Sequence, residues 1–157
     1  HGHRKLLDYC SKKYDKNKYY EISLLNVDKP EIVSDDLSTR LKKFSEDEKI
    51  IITKSSKFVE KATLFPNSYF VIGYDTGLRI LDESYLNRGE SLDDLFSVID
   101  QKKCKFIVAG RIDVTGKEFD NLKLENLSFT HKNLFDLIEE KDFREDVSST
   151  EKRRQDN

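Results

Sequence analysis

Three short runs, "KIIIT" near residue 50, "SYFVIG" near residue 70 and "KFIVAG" near residue 107, constrain this chain more than anything else in it. Each is apolar on successive residues. A strand with one wet face alternates, whereas a strand covered on both faces does not. Covered strands of this kind belong to parallel sheets, and parallel neighbours need a long crossover, usually a helix. The intervening stretches supply one. "SDDLSTRLKKF" opens with a Ser/Asp cap and spaces Leu37, Leu41 and Phe44 along one stripe. "KFVEKATLF" turns Phe58, Ala62 and Phe65 to one side before "PN" ends it. "SLDDLFSVIDQKK" sets Leu92, Leu95, Phe96 and Ile99 at i, i+3, i+4 and i+7.

The flanks continue the alternation. "RKLLDYCSKKY" places Leu7, Cys10 and Tyr14 on one helical face, and "YYEISLLNV" reads as a strand stopped by "DKP". "TGLRILDESYL" is helical at its start, and "VTGKEFDNLK" is a small hairpin around Gly116. "HKNLFDLIEE" reads as a helix, "FREDV" as extended, and "SSTEKRRQDN" as a capped helix that runs into a charged tail. With right-handed crossovers the prediction is an α/β fold, a Rossmann-like doubly wound parallel sheet. A strand should precede the first helix of such a sheet. "HGH" then reads as a strand-to-helix turn whose first strand lies outside this sequence, and a chain with no Met is expected to start naturally further upstream. No repeat or linker divides residues 1–154, and residues 155–157 read as a frayed tail.

Composition narrows the function classes. Ten Phe and seven Tyr supply core material to a chain of 157 residues, which is enough for one domain. A formal net charge of -2 gives no basic field, so no nucleic-acid partner is expected. No apolar run approaches the roughly 18–20 residues of a membrane span, so no membrane partner is expected either. Cys10 and Cys104 are in no metal-like spacing and read as core fillers, and so few thiols point to the cytoplasm or nucleus.

Open parallel sheets bind ligands beyond the carboxyl ends of their strands. The residues there are Gly2 and His3 after the missing strand, Lys29 after the next, Gly73, Asp75 and Thr76 after "YFVI", and Arg111 after "FIVAG". Glycines let backbone N–H groups approach a ligand closely. His3, Lys29 and Arg111 offer donors to phosphate oxygens, and Asp75 offers an acceptor to ribose hydroxyls or an amide. Ser148, Ser149 and Thr150 would open a helix whose N-terminus favours anions, with Arg153 a turn further in. Each has a plainer reading. "HGH" can be a surface turn or a tag remnant, Gly73 a sharp strand end, "SST" an ordinary N-cap, Arg111 and Lys29 surface charges, and His131 a lone loop or cap residue.

The ordered set "GHRKLL", "EISLLNVDKP", "LFPNSYFVIGYDTGLRILDESYL", "CKFIVAGR" and "FREDVSSTEKR" resembles the nucleotidylyltransferase superfamily over residues 2–154. Within it the similarity is greatest to the eukaryotic cytidylyltransferase-like branch that includes nicotinamide-mononucleotide adenylyltransferases. Two motifs mark that superfamily, H-x-G-H at the first strand–helix turn and I-S-S-T-x-x-R near the C-terminus. Gly2 and His3 match the end of the first, whose leading His lies outside this sequence. Val147 through Arg153 match the second with Val in place of Ile.

The resemblance implies adenylyl transfer from ATP to a phosphate monoester, nicotinamide mononucleotide, giving NAD and pyrophosphate. The acceptor phosphate attacks the α-phosphorus directly, with no covalent enzyme intermediate. His3 would stabilise charge on the transferred group as the catalytic residue. Gly2, Gly73, Asp75, Thr76, Arg111, Ser148, Ser149, Thr150 and Arg153 would bind nucleotide, and Lys29 with Asp75 would bind acceptor. Mg²⁺ would arrive with the triphosphate, without a protein metal cage. Two alternatives stay open: cytidylyl transfer from CTP to a phosphorylated alcohol or sugar, and a non-catalytic nucleotide-binding or interaction module.

Overall fold

A computed structural model describes residues 2–25, 33–112, 115–116, 118–139 and 142. It is a mixed α/β fold built on parallel sheets. Helix α1 (Gly2–Tyr14) leads to strand β1 (Tyr20–Ser23), helix α2 (Ser34–Leu41), β2 (Ile50–Thr53), α3 (Phe58–Leu64) and β3 (Tyr69–Gly73). There follow α4 (Tyr74–Leu81), a 3₁₀ turn at Glu83–Tyr85, α5 (Leu92–Gln101) and β4 (Lys105–Ala109). A hairpin of β5 (Arg111–Ile112) and β6 (Phe119–Asp120), then α6 (Phe129–Lys132) and β7 (Phe135–Ile138), complete the described elements.

The strands form two parallel sheets where the sequence predicts one. β1 pairs β2, with Tyr20 opposite Ile50, and β3–β4–β7 form the larger sheet. Alternation along the larger sheet sorts the core into two layers. Phe70, Ile72, Phe106, Val108, Phe135 and Leu137 join the cluster under α3, α4 and α5. Tyr69, Val71, Ile107, Ala109 and Ile138 face the other way, onto Leu6, Cys10 and Tyr14 of α1. Helices thus cover both faces, which is why these strands can be apolar at successive positions.

Aromatic rings fill the deeper layer. Phe106 is fully buried, with ring centroids of Phe58 at 5.2 Å, Phe70 at 6.0 Å and Phe135 at 5.2 Å. Phe96 stands edge-on to Phe135 at 5.6 Å, extending the row to α5. Ser91 caps α5 by accepting from the Asp94 N–H, and the Asp94 carboxylate accepts the Ser91 N–H in return.

One prediction is overturned here. "HKNLFDLIEE" is not a helix. Its first residues end the short α6, and Phe135–Ile138 pairs β4 in parallel, Phe106 opposite Phe135 and Ala109 opposite Ile138. Leu134, Phe135, Leu137 and Ile138 suit a helical stripe and a covered strand equally, and the free edge of β4 decides between them. The predicted nine-residue strand at "YYEISLLNV" is described only as Tyr20–Ser23, and residues 26–32 lie outside the described set. "FREDV" and the C-terminal helix also lie outside it. The hairpin around Gly116 is present, its glycine at φ +72°. Among the described residues no helix is long and apolar enough to cross a membrane.

Candidate functional site

Several of the singled-out residues meet at the carboxyl end of the larger sheet. β3 passes straight into α4, and Gly73 is both the last residue of the strand and the N-cap of the helix. Its φ of -85° suits any residue, and a Cβ built there meets nothing within 4 Å. Its lack of a side chain therefore leaves the first N–H groups of α4 open from outside instead of serving the turn. Gly110, one strand over, has another cause. A Cβ there would lie 2.4 Å from Phe119 Cζ and 2.5 Å from the Asp120 carbonyl oxygen. Close packing of the β5–β6 hairpin requires that glycine.

Asp75 sits in the first turn of α4, not in a loop, and accepts both hydrogen bonds that Arg111 Nη1 donates, at 2.8 and 3.1 Å. Arg111 opens β5, with its guanidinium carbon 5.0 Å from the ring centroid of Tyr74. The two predicted ligand contacts are thus each other's partner. Both side chains are exposed, Arg111 at 49% and Asp75 at 67%, so the pair holds Arg111 in place while contributing little stability.

His3 is the second residue of α1, exposed, and not part of a turn. Gly2 begins that helix. α1 runs so that Leu6 packs in the cluster of Ala109 and Ile138 while Tyr14 meets Tyr69, at the start of β3, 5.3 Å away. Arg4, the next residue after His3, holds Glu48 just ahead of β2, so this end of α1 sits by the smaller sheet, whereas the start of α4 and Arg111 sit at the carboxyl end of the larger one. Thr76 faces elsewhere, into a hollow of about 450 Å³ between α3, α4 and α5. Ser23, Lys57, Arg79, Tyr85 and Asp94 line the same hollow, and Arg79 Nη2 donates to Thr76 Oγ1 at 3.4 Å. This hollow went unread in the sequence, although Thr76 and Arg79, three apart on α4, are a polar pair on one helix face. Lys29, Ser148, Ser149, Thr150 and Arg153 lie outside the described residues.

Several other titratable groups serve the fold. Arg4 holds Glu48 through Nε at 2.7 Å and Nη2 at 2.9 Å, and the Ser45 N–H donates to the same carboxylate at 2.8 Å. These bonds pull the Glu48 carboxyl down to about 2. Burial pushes the Cys10 thiol up to about 11, and burial next to Asp136 raises the Tyr14 hydroxyl. His131 has a partner after all: Nδ1 lies 3.2 Å from the Asp93 carboxylate, and its ring packs 5.0 Å from that of Phe96. Among the described residues no group of three His, Cys, Asp or Glu gathers to hold a metal ion. Compared with protein-family models, curated proteins and solved structures, the chain matches none.

Proposed function

We propose that this chain is a nucleotidylyltransferase domain of Rossmann-like, doubly wound type that transfers an adenylyl group from ATP to nicotinamide mononucleotide and releases pyrophosphate. The observation that carries the reading is the meeting of the α4 N-terminus, with the open Gly73, and the Arg111 guanidinium at the carboxyl end of a parallel sheet. Helix N-termini present unpaired N–H groups and a partial positive charge, which suits phosphate.

Direct attack by an acceptor phosphate needs positioning and charge neutralisation more than a nucleophilic side chain. The residues fit that demand. Arg111, set by Asp75 and stacked on Tyr74, would turn its remaining N–H groups toward nucleotide phosphates. His3 would donate to the oxygens that gain charge as the α-phosphoryl group transfers. Ser148, Ser149, Thr150 and Arg153 would hold the β- and γ-phosphates, and Lys29 the acceptor phosphate. The hollow at Thr76 and Arg79, lined also by Ser23 at the end of β1, would give the acceptor its space. Mg²⁺ would come with the triphosphate, bound mainly by its oxygens and water, and would neutralise phosphate charge.

Pyrophosphate release, measured across pairs of ATP or CTP with nicotinamide mononucleotide or a phosphorylated alcohol, tests the reading. Release with ATP and nicotinamide mononucleotide is expected, and His3→Ala should lower it far more than it lowers the melting temperature. Release with CTP alone would move the assignment to cytidylyl transfer. No release and no nucleotide binding would overturn it.

A further inference from the structure

Two sheet edges in this protein face each other across a cleft of about 740 Å³. Among the described residues β1 pairs only β2, and β3 pairs only β4 on its own side of the cleft, so each turns one unpaired edge to the gap. Leu6, Leu7 and Cys10 of α1 line one wall, and Phe58 and Phe65, at either end of α3, line another. Both helices reach across. α1 packs Leu6 and Cys10 with Ile107 and Ile138 and ties Arg4 to Glu48 just ahead of β2. α3 sets Phe58 against Phe70 and Phe106, while Lys61 pairs with Glu21 of β1 at 2.5 Å.

The edges of such a gap are costly, because a buried backbone N–H or C=O needs a partner. Burial marks the same place. Phe106, Ile107 and Val108 of β4 are wholly covered, whereas Tyr69, Phe70 and Val71 of β3, as apolar, are only half-buried. A strand takes about 4.8 Å of sheet width and roughly 3.3 Å per residue between layers about 10 Å apart, so about five residues fill roughly 800 Å³. The cleft has that size. Its occupant is set as well: His3, in the first turn of α1, lines the cleft, and every described pair within the two sheets is parallel. A strand that feeds α1 would lie in this gap and end beside Gly2.

We propose that this cleft is a strand-acceptor site, filled by an extended apolar segment of about five residues that leads directly into α1. The segment hydrogen-bonds β1 along one edge and β3 along the other, joining the two sheets into one. It is apolar at successive positions because α1 covers one of its faces and α3 the other. The inference rests on the cleft and not on the proposed activity.

The test joins the peptide Lys-Val-Ile-Val-Ile-Gly to His1 and compares it with a Gly/Ser peptide of equal length at the same place. Amide hydrogen exchange is then followed at Tyr20–Ser23 and Tyr69–Gly73, with melting temperature and mass in solution. The expected result is exchange at least tenfold slower along both β1 and β3, with a higher melting temperature, in a monomer. Proline in place of the central Ile should abolish the gain, since it lacks the N–H the ladder needs. Equal exchange with the apolar and Gly/Ser peptides, or protection of one edge alone, would overturn the proposal. Full protection of both edges in a dimer of the unextended chain would overturn it too, by making a second copy the occupant.

Discussion

Removing Arg111 separates binding from folding at the candidate site. In the free protein the guanidinium is spent on Asp75, through bonds of 2.8 and 3.1 Å between exposed side chains. An exposed pair of this kind contributes about 0–1 kcal/mol, which in a domain of this size moves the melting temperature by about 2–4 °C at most. A hydrogen bond to a charged group contributes about 1.5–3 kcal/mol in place of water. Part of that gain is offset by weakening the Asp75 contact, leaving roughly 1–2 kcal/mol for the phosphate. Arg111→Ala should therefore raise the dissociation constant for Mg²⁺–ATP by about 5- to 30-fold. Titration calorimetry measures the affinity and a thermal melt the stability. Unchanged affinity would remove Arg111 from the nucleotide site. A fall of ten degrees or more in melting temperature would refute the premise that the pair is structurally dispensable.

Other consequences are as direct. Gly110→Ala forces a methyl against the Asp120 carbonyl and Phe119, so it should cost about 1–3 kcal/mol in urea melts, while Gly73→Ala, with open space around it, should stay within about 0.5 kcal/mol. Phe106→Ala opens the middle of a ring cluster and should cost about 3–5 kcal/mol, read as a fall in melting temperature of about ten degrees or more. The Glu48 carboxyl is held below its ordinary value of 4.5, at about 2, so its contribution is complete above pH 4.5 and is lost as pH falls toward 2. Urea midpoints across that window should fall more steeply for the natural chain than for Arg4→Met.

Local chemistry made much of the fold readable. The Ser91–Asp94 capping box, the stripe through Phe96 and Ile99, and the unbroken apolar runs of β3 and β4 each follow from a few adjacent residues. What escaped depends on distant partners. Phe135–Ile138 is a strand because Phe106–Ala109 offers an edge 29 residues earlier, and nothing within "NLFDLI" records that. At the site, Gly73, Asp75 and Arg111 were legible from strand-end position, but their relation was not. Asp75 and Arg111 lie 36 residues apart, and only the parallel register that sets Gly73 opposite Ala109 brings them together. The hollow at Thr76 and Arg79 takes its walls from five separate elements, so no single window of sequence could outline it.

The two sulfurs offer a clock for how this molecule comes apart. Cys10 is 3% exposed and Cys104 1%, on opposite sides of the larger sheet. With its thiol pushed up to about 11, Cys10 carries only ~0.1% thiolate near pH 8, and alkylating reagents attack the thiolate alone. Labelling must therefore wait for the surrounding layer to lift. The two rates, compared residue by residue, report which helical layer detaches first and how often.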